Sequence, residues 1–264
     1  MKKERKIPAI ELLKSQYPEF DPVQLKGYIA SREVKIDGET IVDAAQRVSG
    51  TGEASIQLSG FVSRGGYKLE HALTSWAFDV KGRVCLDAGS STGGFTDCLL
   101  RYGASAVHAV DVGYNQLDYR LRSDSRVIVH ERTNILHLES TDPPSDIAVA
   151  DLSFRSIRGV ASHILSLTTE RQLIFLIKPQ FEVDPDTAGF NGVITDDGLL
   201  RSTMDDVYST LTEEHVALQR LLLSPITGRK GNREFLALLA PDGGMSRRVY
   251  REAVDDLLGG SGRS

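Results

Sequence analysis

The chain is poor in cysteine, with two in 264 residues, and has a single tryptophan. Cys85 and Cys98 fall in no CxxC or mixed Cys/His spacing, so neither a disulfide framework nor a metal site is expected, and both read as reduced core thiols. Also missing is any uninterrupted apolar run near the ~20 residues that a membrane-crossing helix needs. The opening MKKERKIPAIELLKSQ is basic but lacks the apolar stretch of a secretory leader, so a cytoplasmic protein with no membrane partner is expected. Nor is there an excess of positive charge: 31 basic against 36 acidic side chains give −5. That excludes a protein that coats nucleic acid by bulk charge and leaves room for a local basic face. The remainder is ordinary, with 41% hydrophobic and 25% charged residues, enough for a sizeable core.

Charge is unevenly spread, and the first 35 residues carry eight basic against five acidic side chains. Two short helices are predicted there, Ile7 to Ser15 and Asp21 to Ser31, the second with Asp21 as N-cap and Pro22 at the first helical position. Asp37-Gly38 between alternating runs predicts a hairpin, Ser49 to Ser55 a turn, and Ile56 to Leu58 a last short strand. These elements make a small α+β domain over residues 1–58, followed by a Ser59-Gly60 hinge in a linker over 59–62. Over 63–258 strands alternate with helices, which favours an open parallel sheet with helices on both faces. Seven strands are predicted: Val84 to Asp87, Ala106 to Asp111, Val127 to His130, Ile147 to Asp151, Leu173 to Ile177, His215 to Leu223 and Glu234 to Ala240. The tail 259–264, GGSGRS, is expected to be mobile.

The sharpest local signal is VCLDAGSSTGGFTDCLL, residues 84–100, where a strand ends in Asp87, a turn holds Gly89, Gly93 and Gly94, and a helix follows. Such a turn lets backbone approach a ligand and offers helix-start N–H groups to it. Its spacing is neither the dinucleotide GxGxxG nor a P-loop, which would carry a lysine. Twenty-four residues beyond Asp87, Asp111 closes the next strand, where a carboxylate can accept both hydroxyls of a ribose. Asn134 follows the third strand, where it could meet an adenine or simply form a turn.

LDAGSSTGGFTD, AVDVGYNQL, ERTN, ADLSF, KPQFE and GNREF, in this order after SRGGYKLEHAL, resemble the TlyA or haemolysin A family. Its members are similar to FtsJ-type ribose 2′-O-methyltransferases and carry an amino-terminal alpha-L RNA-binding domain. The resemblance implies a Rossmann-like seven-stranded methyltransferase sheet and an enzyme that uses S-adenosylmethionine to methylate the 2′-hydroxyl of a cytidine in ribosomal RNA, with ribosomal subunits as partners. It carries the family's catalytic tetrad onto Lys68, Asp151, Lys178 and Glu234. A ribose hydroxyl is a poor nucleophile that must be positioned and deprotonated, and a lysine serves as base when its surroundings favour the neutral form. Lys178 is the expected base, Lys68 and Glu234 orient it and the ribose, and Asp151 lies against Lys178 and the methyl donor. Cofactor contacts implied by the same motifs are Asp87, Gly89, Ser91, Thr92, Gly93, Gly94, Phe95, Asp111, Asn134 and Asp151. Thr92 stands where the FtsJ branch has proline, and Asn134 where it often has an acid.

Candidate RNA contacts are Lys14, Lys26, Arg32 and Lys35 in the first domain and Arg64, Arg155 and Arg233 beyond it. Arg120, Arg122, Arg126 and Arg132 crowd one stretch and could grip phosphates or merely form surface salt bridges. The first domain departs from the alpha-L pattern, reading KIPAIELL and FDPVQLKGYI where the family has Arg-Leu-Asp and Ser-Arg, so docking to a partner is an alternative use. For the whole chain the alternatives are a non-catalytic RNA or ribosome binder, a membrane-lytic protein and a small-molecule methyltransferase. The intact tetrad counts against the first, the lack of a spanning segment against the second, and the appended domain against the third.

Overall fold

The computed structural model describes residues 6–18, 20–30, 32–56, 60–153, 156–184, 187 and 190–259. The chain folds as two compact units, Met1–Phe61 and Val62–Ser264.

The first unit holds strand β1 (Lys6–Pro8), helices α1 (Ala9–Gln16) and α2 (Pro22–Ala30), and strands β2 (Val34–Ile36), β3 (Glu39–Thr40), β4 (Arg47–Ser49) and β5 (Ala54–Ile56). Its core joins Leu12 and Leu13 of α1 to Leu25, Tyr28 and Ile29 of α2 and to Val34, Ile36 and Ile41. Asp37 and Gly38 both take positive φ, 51° and 83°, as a two-residue hairpin turn requires, and Lys35 faces Thr40 across it. Two expectations need correction. The first helix starts at Ala9 rather than Ile7, because Lys6–Pro8 pair with Arg47–Ser49 as a two-stranded sheet and Pro8 serves as N-cap. The predicted Ser49 to Ser55 turn loses Ser49 to β4 and both Ala54 and Ser55 to β5. Leu58, Ser59 and the tail beyond Gly259 lie outside the described residues.

The second unit is built on seven strands, β6 (Val84–Ala88), β7 (Ala106–Val110), β8 (Val127–His130), β9 (Ile147–Ala150), β10 (Leu173–Ile177), β11 (Ala217–Leu223) and β12 (Phe235–Ala240), in the order β11-β12-β10-β9-β6-β7-β8. All seven predicted strands are found, with bounds shifted by at most two residues. β9, IAVA, and β10, LIFLI, are buried along their whole length, as strands covered on both faces must be. Helices α3 (Gly65–Trp76), α4 (Gly94–Arg101), α5 (Tyr119–Arg122), α6 (Val160–Ser166), α7 (Asp197–Glu213) and α8 (Arg247–Gly259) surround the sheet. One large core gathers Leu86, Ala148, Ile164, Phe175, Met204, Phe235 and Tyr250.

The sheet is mostly parallel, as expected, with β12 reversed. β6, β7, β8, β9 and β10 run parallel, but β12 is antiparallel to both β10 and β11. Only residues 224–234 separate β11 from β12, too few for the helical crossover that a parallel connection needs. β12 therefore begins at the edge of the sheet where the parallel strands end.

Candidate active site

β6 lies between β7 and β9, so the chain leaves it toward one side and returns on the other, and a crevice opens where their carboxyl ends part. Each tetrad member reaches that edge by its own route. Asp151 follows β9, Lys178 follows β10, and Glu234 precedes antiparallel β12. Lys68 comes from the second turn of α3, whose Leu69, Ala72 and Leu73 bury the neighbouring stripe. Lys68 Nζ donates to Glu234 Oε2 at 2.5 Å, with both side chains almost wholly buried. Lys178 Nζ stands 2.6 Å from Asp151 Oδ1, an ion pair by distance though off the line that a hydrogen bond prefers, and 3.4 Å from Ser153 Oγ. Buried charges of this kind persist only in pairs, since an unpaired one would carry a desolvation cost of several kcal/mol.

All four line a cavity of about 650 Å³, a size suited to a nucleoside-sized ligand. Gly89, Ser91, Thr92, Gly94 and Phe95 of the glycine turn line it too, as do Arg64, Gln180, Lys230 and Asn232. Gly89 takes φ 84°, and a Cβ there would come within 2.6 Å of Asp151 O, so only glycine lets β6 and β9 close up behind the cavity. Gln180 Oε1 is buried without a hydrogen-bond partner among the described residues.

Other residues singled out in the sequence stand further back. Asp87 is fully buried on β6: one carboxylate oxygen accepts from Thr96 Oγ1 at 2.6 Å and the other has no partner among the described residues. Burial pushes its pKa up to about 7, against the opposing hydrogen bond from Thr96. Gly93, φ 96°, packs under Leu117 and Leu121. Asp111 holds the turn from behind, accepting from the Ser91 N–H at 2.9 Å and the Gly113 N–H at 2.6 Å. The Ser91 N–H is therefore spoken for within the protein. Asn134 caps a short 3₁₀ turn by accepting from the Leu136 N–H.

Of the candidate RNA contacts, Lys14 and Lys26 are exposed on α1 and α2, Arg32 is exposed at a left-handed φ of 59°, and Lys35 is half-buried on β2. Arg64 is exposed beside the cavity, Arg233 pairs with Asp197, and Arg155 lies outside the described residues. Arg120, Arg122 and Arg126 pair with Asp118, Glu131 and Asp124, whereas Arg132 lies over the Tyr114 ring. Residues 185, 186, 188 and 189 lie outside the described residues, and Asp196 caps α7.

One residue was not anticipated. Gly228 sits where a Cβ would land on Glu234 Oε1, so a bare backbone is what admits the carboxylate that pairs with Lys68. Its φ of −66° is open to any residue, and only the fold reveals the constraint.

The sequence matches the FtsJ-like methyltransferase family over residues 61–240. It is 36% identical over 230 residues to "Hemolysin A" of Brachyspira hyodysenteriae, covering 81% of this chain and 96% of that one. It is 39% identical over 234 residues to the protein named 16S/23S rRNA (cytidine-2'-O)-methyltransferase TlyA of Mycobacterium tuberculosis, covering 86% and 87% of the two chains. Among solved structures, a candidate hemolysin from Streptococcus thermophilus is similar with a TM-score of 0.71 and 30% identity over 96% of both chains. No helix among the described residues is long and apolar enough to cross a membrane. With a glycine turn at the switch point of its sheet and two lysine–carboxylate pairs beside it, the chain belongs to the FtsJ-like methyltransferase family, in the company of the hemolysin A and TlyA proteins.

Proposed function

We propose that this methyltransferase uses S-adenosylmethionine to methylate the 2′-hydroxyl of a cytidine ribose in ribosomal RNA. The observation that carries the reading is the sharing of one cavity by the glycine turn and both ion pairs, Lys68–Glu234 and Lys178–Asp151. The named activity of the Mycobacterium tuberculosis relative supplies the substrate class.

The residues present fit such a donor. Gly89, Ser91, Thr92, Gly94 and Phe95 would hold it along the cavity wall, Asp111 would take its ribose and Asn134 its adenine, and Asp87 and Gly93 would shape the turn from beneath. When bound, the donor supplies an electrophilic methyl on a sulfonium, open to in-line attack. The chain's task is then to bring one hydroxyl into line and take its proton. As found, Lys178 is ion-paired with Asp151, and it acts as base with Nζ in its neutral form. Asp151 then steadies the ammonium that re-forms when Nζ takes the 2′-hydroxyl proton, as a triad carboxylate steadies its histidine. Lys68, fixed by Glu234, donates to a ribose oxygen and keeps the sugar facing Lys178. Lys14, Lys26, Arg32, Lys35 and Arg64 would meet the RNA backbone, where sequence-independent affinity resides.

The test is transfer of labelled methyl from S-adenosylmethionine to purified ribosomal subunits and to ribosomal RNA lacking the modification. Label at a ribose that is lost with Lys178→Ala, while donor binding persists, is the expected result. Transfer by Lys178→Ala at near the native rate would remove Lys178 from the base role, and no transfer to any ribosomal RNA by donor-binding protein would point to another acceptor.

A further inference from the structure

The four tetrad charges neutralise one another in pairs, yet the cavity also receives Arg64 and Lys230, and among the described residues neither has a carboxylate within ion-pair distance. Its wall thus carries two positive charges in excess, in a chain whose formal charge is −5. A sulfonium donor does not explain this, because it brings positive charge of its own and no phosphate. An anionic substrate does.

Lys230 is the member of this pair with no role so far, and its backbone is unusual. At φ 64° and ψ 12° it occupies the left-handed region, which is strained for a side chain of this kind, at the tip of the turn Gly228–Asn232. Two hydrogen bonds close the turn, Gly228 N–H to Asn232 O at 2.8 Å and Gly231 N–H to Gly228 O at 3.1 Å. Behind it Asn232, 3% exposed, accepts from the Ile194 N–H and donates to Gly192 O, tying the turn to the facing loop. An exposed lysine is therefore held on a braced platform at the cavity. A glycine would take this conformation freely, so the side chain is retained against a local cost.

We propose that Lys230 is a positioning residue whose ammonium holds a phosphodiester oxygen adjoining the target ribose while Lys178 acts on the 2′-hydroxyl. This rests on the reading of the cavity as a site of RNA methylation. A ribose within a strand has a phosphate on either side, and Arg64 and Lys230 supply one cation each.

The experiment compares native protein with Lys230→Gly, which removes the ammonium while easing the backbone, and Lys230→Arg. Unmodified ribosomal subunits are the substrate and salt is varied. Lys230→Gly should raise KM about tenfold, leave kcat within about twofold, and flatten the log–log salt dependence by about 1, the signature of one lost phosphate contact. Lys230→Arg should recover most of the KM, and donor affinity should be unchanged in both. Unchanged KM and salt slope in Lys230→Gly would overturn the proposal, as would an equal defect in Lys230→Arg, which would assign the effect to the turn rather than its charge. If native protein methylates no RNA, the underlying reading fails instead. The role of Lys230 is then decided by RNA binding at two salt concentrations, where equal affinities of native and Lys230→Gly protein refute it.

Discussion

A methyl group at residue 228 would compete with Glu234 Oε1 for the same space. Gly228→Ala should therefore leave the sheet intact while displacing the carboxylate that holds Lys68. Misplacing such a group by about 1 Å costs roughly a hundredfold in rate, so kcat should fall by about that factor with the melting temperature nearly unchanged; a normal kcat would mean that Glu234 has room to yield. Asp87 allows a second test. Its carboxyl is neutral in the folded protein up to about pH 7, whereas its ordinary value is 3.8. Between those values the folded state holds a proton that the unfolded chain has lost, so this group's contribution to stability falls as pH rises through the window and levels off above it. The difference amounts to something on the order of 4 kcal/mol. Asp87→Asn removes that slope, and denaturant unfolding from pH 4 to pH 8 should show the variant gaining on the native protein as pH rises. Parallel curves would refute the assignment.

Among the elements, the long ones were plain in the sequence because burial on both faces writes a strand as an unbroken apolar run, as in IAVA and LIFLI. Three-residue strands leave no such trace. The pairing of Lys6–Pro8 with Arg47–Ser49 depends on contact across some forty residues of chain, and no local period announces it. The gathering of Lys68, Asp151, Lys178 and Glu234 at one cavity was legible because motif order carries it, whereas the need for glycine at 228 arises from a side chain six residues away and is visible only once the turn is folded. Asp111 was read as a ligand contact from its place at a strand end and Asp87 from the motif resemblance; buttressing of the turn by Asp111 depends on the backbone path of Ser91, which composition does not encode. The turn before β12 offers a test at this scale. Asn232→Ala deletes two bridging hydrogen bonds and leaves the buried Ile194 N–H without its acceptor, which should cost about 2 kcal/mol of stability. Equilibrium unfolding gives that value, and a loss below the error of the measurement would mean that the facing loop re-forms its contacts elsewhere.

Taken whole, the molecule separates chemistry from the bulk of its candidate RNA contacts. The cavity and the tetrad belong to Val62–Ser264, which has its own large core, while Lys14, Lys26, Arg32 and Lys35 belong to Met1–Phe61. Removing residues 1–61 should leave donor affinity within about twofold and lower kcat/KM on ribosomal subunits by tenfold or more, the loss expected when several phosphate contacts vanish together. Calorimetric titration of the donor and methyl-transfer kinetics check the two halves of that expectation, and undiminished kcat/KM would reassign the first unit to a duty other than gripping RNA.

Both cysteines lie inside the second unit, Cys85 on β6 and Cys98 on α4, and both are wholly buried. Burial pushes the Cys85 thiol up to about 12 and raises Cys98 as well, so at neutral pH neither offers the thiolate that alkylating reagents attack. The first unit contains none. The protein thus carries a stopwatch in its own sulfur atoms: thiol capture under native conditions times the opening of the catalytic unit alone, and a ligand that slows the capture reveals its own affinity without any turnover.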